Sequence, residues 1–190
     1  MRGIIVTAFI GSTFLVPARP VAQTFDGRAA SADRSVVVSY SVKDGFKISI
    51  TIDTPKKKAA FQESTTTDVT GIAVDFVDLN GDSLQDVIIK YKDESSYQPE
   101  VLINRDGVSF VRALTTSFVV WTEPEPGQED VPKGRYRLKK VKGRAIPDLV
   151  FPDVVIGRDR YRDATFRFDP STSKYALLRT GAKLGRLGEQ

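Results

Sequence analysis

The residues best placed to do chemistry are oxygen donors crowded into one stretch, Asp78-Leu79-Asn80-Gly81-Asp82-Ser83-Leu84-Gln85-Asp86. Counting from Asp78, side-chain oxygens fall at places 1, 3, 5 and 9, from Asp78, Asn80, Asp82 and Asp86. Leu84, at place 7, can add its carbonyl. Carboxylates packed this closely repel one another unless a cation sits among them. Calcium takes six to eight oxygen ligands in a flexible geometry, which suits a single short loop better than the strict octahedron of magnesium. The composition agrees. The chain has no histidine and no cysteine, which excludes Ser-His-Asp and Cys-His catalysis, imidazole zinc sites, disulfides and iron–sulfur ligation. Oxygen is the remaining donor, and hard cations prefer it.

The flanks of this stretch, Ile72–Val77 and Val87–Tyr91, are apolar and β-branched, so the loop is expected to join strands. An EF-hand is excluded, because Ser83 stands where its glycine would be and Ile89 where its bidentate glutamate would be. The segment Asp75 to Tyr91 resembles the FG-GAP/VCBS repeats of β-propellers, whose hallmark is D-x-[DN]-G-D-x-x-x-D followed by an apolar strand. The likeness continues through Val101-Leu102-Ile103-Asn104-Arg105-Asp106-Gly107-Val108-Ser109-Phe110 and covers residues 71–112. It implies a blade-like β unit with a structural Ca2+ held by Asp78, Asn80, Asp82, Leu84 and Asp86.

A second copy emerges on shifting the chain by 62 residues. Gly143 then falls on Gly81, Asp148 on Asp86, and Leu149-Val150-Phe151 on Val87-Ile88-Ile89. Lys140, Lys142 and Arg144 replace Asp78, Asn80 and Asp82. Cations stand where ligands would be, so this copy, within residues 133–155, is expected to hold no metal. A basic side chain is expected to partner Asp148 instead. A spacing of this length fits repeated blades.

The elements that must position these loops read as short strands. Val36–Val42 and Phe46–Ile52 alternate apolar and polar residues around Lys43-Asp44-Gly45, the pattern of a hairpin with an Asp-Gly turn. Further runs lie at Ile72–Val77, Val87–Tyr91, Glu100–Asn104, Val108–Val111, Ser117–Trp121, Tyr136–Val141, Leu149–Val155, Thr165–Phe168 and Tyr175–Leu178. Lys56–Glu63 reads as the one candidate for a short helix. The expected fold is all-β, of antiparallel short strands in a small or irregular propeller-like array, with a β-sandwich as the alternative. Residues 24–180 are expected to form one domain and 181–190 a flexible tail.

Residues 1–22 read as a signal peptide. Arg2 precedes the uncharged run Ile4–Val16, and small or helix-breaking residues follow, with cleavage after Ala18 or Ala22. As a helix that run rises only about 20 Å, short of a ~30 Å hydrocarbon core. A secreted or periplasmic protein is expected, without membrane insertion once the signal is removed. Losing Arg2 and Arg19 lowers the net charge from +4 by two, too little to argue for nucleic acid from bulk charge.

Lys133 to Arg144 holds seven basic residues and no acid. Alternation puts Arg135, Arg137 and Lys139 on one strand face, readable as a solvated edge or as contacts for an acidic protein or glycan partner. Thr122–Pro132, acidic and proline-rich, is a candidate recognition loop. No pair of carboxylates is singled out for catalysis, so the reading is a calcium-binding interaction module rather than an enzyme. The alternative is a periplasmic inhibitor or immunity protein against a cell-wall hydrolase.

Overall fold

The computed structural model describes residues 24–64, 68–114, 118–122, 136–144 and 146–186. The signal peptide expected at 1–22, Arg135 and nearly all of the acidic loop lie outside them. The described residues contain strands and turns but no helix. The fold is all-β and antiparallel, as expected.

Three four-stranded meanders organise the chain. The first comprises β1 (Phe25–Ala30), β2 (Val37–Lys43), β3 (Lys47–Asp53) and β4 (Lys58–Ser64). The second comprises β5 (Gly71–Val77), β6 (Asp86–Lys92), β7 (Ser96–Asn104) and β8 (Phe110–Leu114). After β9 (Phe118–Trp121), the third comprises β10 (Arg137–Lys139), β11 (Asp148–Ile156), β12 (Asp159–Asp169) and β13 (Lys174–Thr180). β9 pairs with both β7 and β11, which joins the second and third meanders into one ten-stranded sheet. A last strand, β14 (Lys183–Arg186), pairs with β12.

Alternation along β6 and β7 explains how the meanders stack. Val87, Ile89, Tyr91 and Leu102 pack with Val38, Val42, Ile48, Ile50 and Ile52 of the first sheet. Their neighbours Ile88, Val101 and Ile103 turn the other way, onto Leu149, Phe151, Phe166 and Phe168 of the third meander. The second meander is therefore the middle layer, which is why Asp86–Tyr91 is buried at every position. The outer faces carry Ser39, Ser41, Ser49 and Thr51 on one side and Arg137, Thr165 and Arg167 on the other. Polar outer faces end the stack.

Local chemistry sets the turns. Asp44 and Gly45 both have left-handed backbones, with φ of 54° and 69°, the requirement of the tight hairpin turn read from the sequence. Gly27 sits opposite Tyr40, whose ring occupies the space that a Cβ would fill.

Two expectations are corrected. Lys56–Glu63 is not helical: Lys58–Ser64 is β4, because pairing with β3 places Phe61 opposite Ile50 and over the apolar core. Tertiary packing overrides the helix preference of Lys and Ala. The tail expected from Gly181 onward is in part a strand, since β14 pairs with β12 while Lys183 and Arg186 reach Asp159.

Candidate metal loop and neighbouring charged clusters

The loop between β5 and β6 is wound by its own side chains. Asp78 accepts the Gly81 N–H at 2.7 Å on one oxygen and the Ser83 N–H at 2.9 Å on the other. Asn80 Oδ1 accepts the Asp82 N–H at 3.1 Å, and Asp82 Oδ1 accepts the Leu84 N–H at 2.8 Å. Asn80 Nδ2 donates to Asp82 Oδ2 at 2.8 Å. Such winding needs left-handed backbone at Gly81 (φ 78°) and Ser83 (φ 67°). Leu79, fully buried, anchors the loop in the core.

Asp86 lies at the base and is 0% exposed. Its carboxylate accepts the Leu79 N–H at 2.7 Å and the Asn104 N–H at 2.8 Å, which ties the loop to β7. Asn104 in turn donates to the Gln85 carbonyl and accepts the Gly107 N–H. Burial pushes the Asp86 carboxyl up to about 7, the charges of Asp82 and Asp78 add to the rise, and the two N–H donors oppose it. Asp78, Asn80, Asp82 and Leu84 thus lie on the loop and Asp86 opens β6. No set of three Asp or Glu side chains among the described residues is arranged to hold a metal ion. The donor types fit a hard cation, with oxygen alone on offer and a second lone pair on each engaged carboxylate oxygen.

The second copy shares two backbone features with the first. Gly143 has a φ of 79° against 78° for Gly81, and β11 begins at Asp148 as β6 begins at Asp86. The same shift lays the order β10-β11-β12-β13 on β5-β6-β7-β8. The two loops face each other across a cleft of about 520 Å³, with Asp78 and Gly81 on one wall and Lys140, Lys142 and Arg144 on the other.

Asp148 does meet a cation, but the partner is Arg167 of β12 rather than a loop residue. The guanidinium is bidentate, Nε to Oδ1 and Nη2 to Oδ2, both at 3.0 Å. Arg144 donates instead to the Phe168 carbonyl at 3.1 Å. The hydrogen bonds from Arg167 hold the Asp148 carboxyl below its ordinary 3.8, against the effect of burial. A depressed folded value means that the pair stabilises above about pH 4 and that this contribution fades as pH falls through the folded value. Arg167→Gln is therefore expected to be less stable than the parent chain at pH 6, with the two unfolding midpoints converging towards pH 2. A gap of constant size over that range would show that the ion pair is not the source. Tyr175, whose hydroxyl is buried without a hydrogen-bond partner among the described residues, feels the charge of both Asp86 and Asp148.

Three charged clusters were not singled out by the sequence. Asp153 and Arg160 form a buried bidentate pair at 2.6 and 2.7 Å, with the guanidinium over the Trp121 ring. Between the first and second meanders, Arg112 joins Glu63 to Glu100, and Tyr91 donates to Glu100. Lys90, nearly buried, pairs with Asp75 at 2.7 Å and lies near the Tyr136 ring. The available signal was a charged residue inside an otherwise apolar strand run, as in Pro99-Glu100-Val101 and Val111-Arg112-Ala113. Arg137 and Lys139, the described members of the expected basic face, do share one face of β10. No protein-family model, no curated protein and no solved structure matches this chain.

Proposed function

We propose that the protein is an exported interaction module whose β5–β6 loop binds Ca2+ as a structural ion, acting by binding rather than by turnover. The observation that supports this most is the all-oxygen loop, in which the buried carboxyl of Asp86 feels the charges of Asp78 and Asp82. A cation there would be held by Asp78, Asn80, Asp82, Asp86 and the Leu84 carbonyl, and would offset their mutual repulsion. The chain's own contribution is already visible: Asp86 fastens the loop to β7, and Gly81 and Ser83 supply the reversed backbone. Export rests on the pattern of residues 1–22.

Thermal unfolding of the purified chain, with EDTA and then with calcium, is the test. At about 100 times the dissociation constant, calcium stabilises the folded state by ~2.7 kcal/mol, which for a chain of this size is a rise of roughly 5–10 °C. The comparison is an Asp78→Asn/Asp82→Asn variant, which sheds two charges and leaves one acceptor oxygen where each carboxylate used two, so the quantity read is the shift that calcium causes in each protein. A rise in the parent chain that is lost in the variant supports the reading. An unchanged melting temperature in both would leave the loop a side-chain-capped turn, and the calcium assignment would fall.

A further inference from the structure

The outer face of the third meander is shaped as well as charged. Cross-strand register sets Arg137, Val150, Thr165 and Arg179 in one row across β10, β11, β12 and β13. The next row carries Lys139, Asp148 and Arg167. Val150 and Thr165 are buried at 7% and 2% exposure, although no further layer of the described residues covers them. They form the floor of a trough whose rims are long cationic side chains.

Two hollows of about 360 and 580 Å³ share Lys139, Thr165 and Arg179, so the trough is continuous. Asp148 is already satisfied by Arg167. Arg137, Lys140, Lys142 and Arg179 have no ion-pair partner among the described residues. Asp163 also lines the smaller hollow, so the cationic excess there comes from Arg137, Lys139 and Arg179; a solvated sheet face does not need a recessed floor between such rims.

We propose that this trough binds an extended acidic peptide segment of a partner protein, running along β11 and β12 between the Arg137 and Arg179 rims. The inference rests on the interaction-module reading above, but not on calcium. Three strand spacings separate the rims by about 14 Å at the backbone, room for one extended chain with its side chains. Side chains on one side of such a chain recur every ~6.8 Å, the same repeat as successive rows on the sheet. Carboxylates at alternate positions therefore meet successive cationic rows. Among the described residues no aromatic ring lines either hollow, and exposed Leu178 borders the larger one. That lining favours a peptide over a sugar chain, whose faces stack on aromatic side chains.

The test is fluorescence anisotropy of two labelled peptides on the full chain, in calcium and in EDTA. One alternates Glu and Val; the other has the same composition in two blocks. The alternating peptide is expected to bind at least tenfold more tightly, with weakening as salt rises. Arg137→Gln/Arg179→Gln is expected to lose at least tenfold of that affinity, whereas Lys56→Gln/Lys57→Gln on the first meander is expected to lose none. A thermal melt of each variant establishes that it is folded.

Equal binding of the two peptides, or full affinity in the Arg137/Arg179 variant, overturns the proposal. So does a sulfated polysaccharide that binds the trough more tightly than either peptide, which would make it a glycan site. Because the calcium measurement reads melting temperature and this one reads peptide affinity, either reading can fail while the other stands.

Discussion

Asp153→Asn is expected to destabilise the protein by about 3–5 kcal/mol, the usual loss when one partner of a buried ion pair is removed. Asp153 and Arg160 are 0% and 2% exposed, so neither charge has water to fall back on when the other is gone. Both guanidinium contacts are short, and the Trp121 ring covers the group at 5.4 Å. Asparagine is the informative replacement because Asp153 has a left-handed backbone, φ 46°, which asparagine tolerates well. The variant therefore removes charge without adding backbone strain.

Thermal or urea unfolding measures the loss, which corresponds to a fall of roughly 6–20 °C in melting temperature. Adding Arg160→Met should recover part of it, because the unpaired buried cation is then gone too. A loss below about 1 kcal/mol would mean that water reaches the pair and that the strand locally opens. This pair also marks a switch in β11. Leu149 and Phe151 face the core on odd positions, whereas Val154 and Ile156 do so on even ones.

Phe151→Ala is expected to cost about 3–5 kcal/mol, the range for deleting a buried aromatic side chain. Phe151 is fully buried, with ring centroids of Phe118, Phe166 and Tyr136 at 5.4, 5.8 and 6.0 Å. These rings come from β9, β12 and the approach to β10, so the cavity would open where the third meander meets the second. Phe151→Leu, which leaves a smaller void, should cost markedly less. The two values from denaturant unfolding, read together, separate lost volume from lost aromatic geometry. Similar small losses for both would show that the site collapses and that the third layer is loosely packed.

The alternating strands of the first meander and their turn were legible because one face of that sheet is apolar and the other polar. Val36–Val42 and Phe46–Ile52 needed only their period and the Asp44-Gly45 turn. The two loops were legible for a similar reason: a left-handed glycine and a strand-opening aspartate recur at a fixed interval, and Gly81 and Gly143 do share one backbone conformation. What stayed hidden depended on partners distant in sequence. β4 looks helical until Phe61 is seen against the core. β1 is unremarkable until Tyr40 is laid over Gly27. Arg167 gives no sign of its role, because only the β11–β12 register brings it opposite Asp148. Asp153 hides inside an apolar run, where a lone acid does not say which strand will supply its cation.

Among the described residues the first sheet, residues 25–64, draws its ladders from no residue beyond itself. A chain emerging from its N-terminal end can therefore complete that sheet while the remainder is still being delivered, since only short loops must close. It then waits with Val38, Val42, Ile48, Ile50 and Ile52 uncovered until β6 and β7 arrive to shield them. The order of synthesis thus sets an interval in which this half-built layer is the molecule's most adhesive surface, and the interval is as long as the delivery of about forty residues takes.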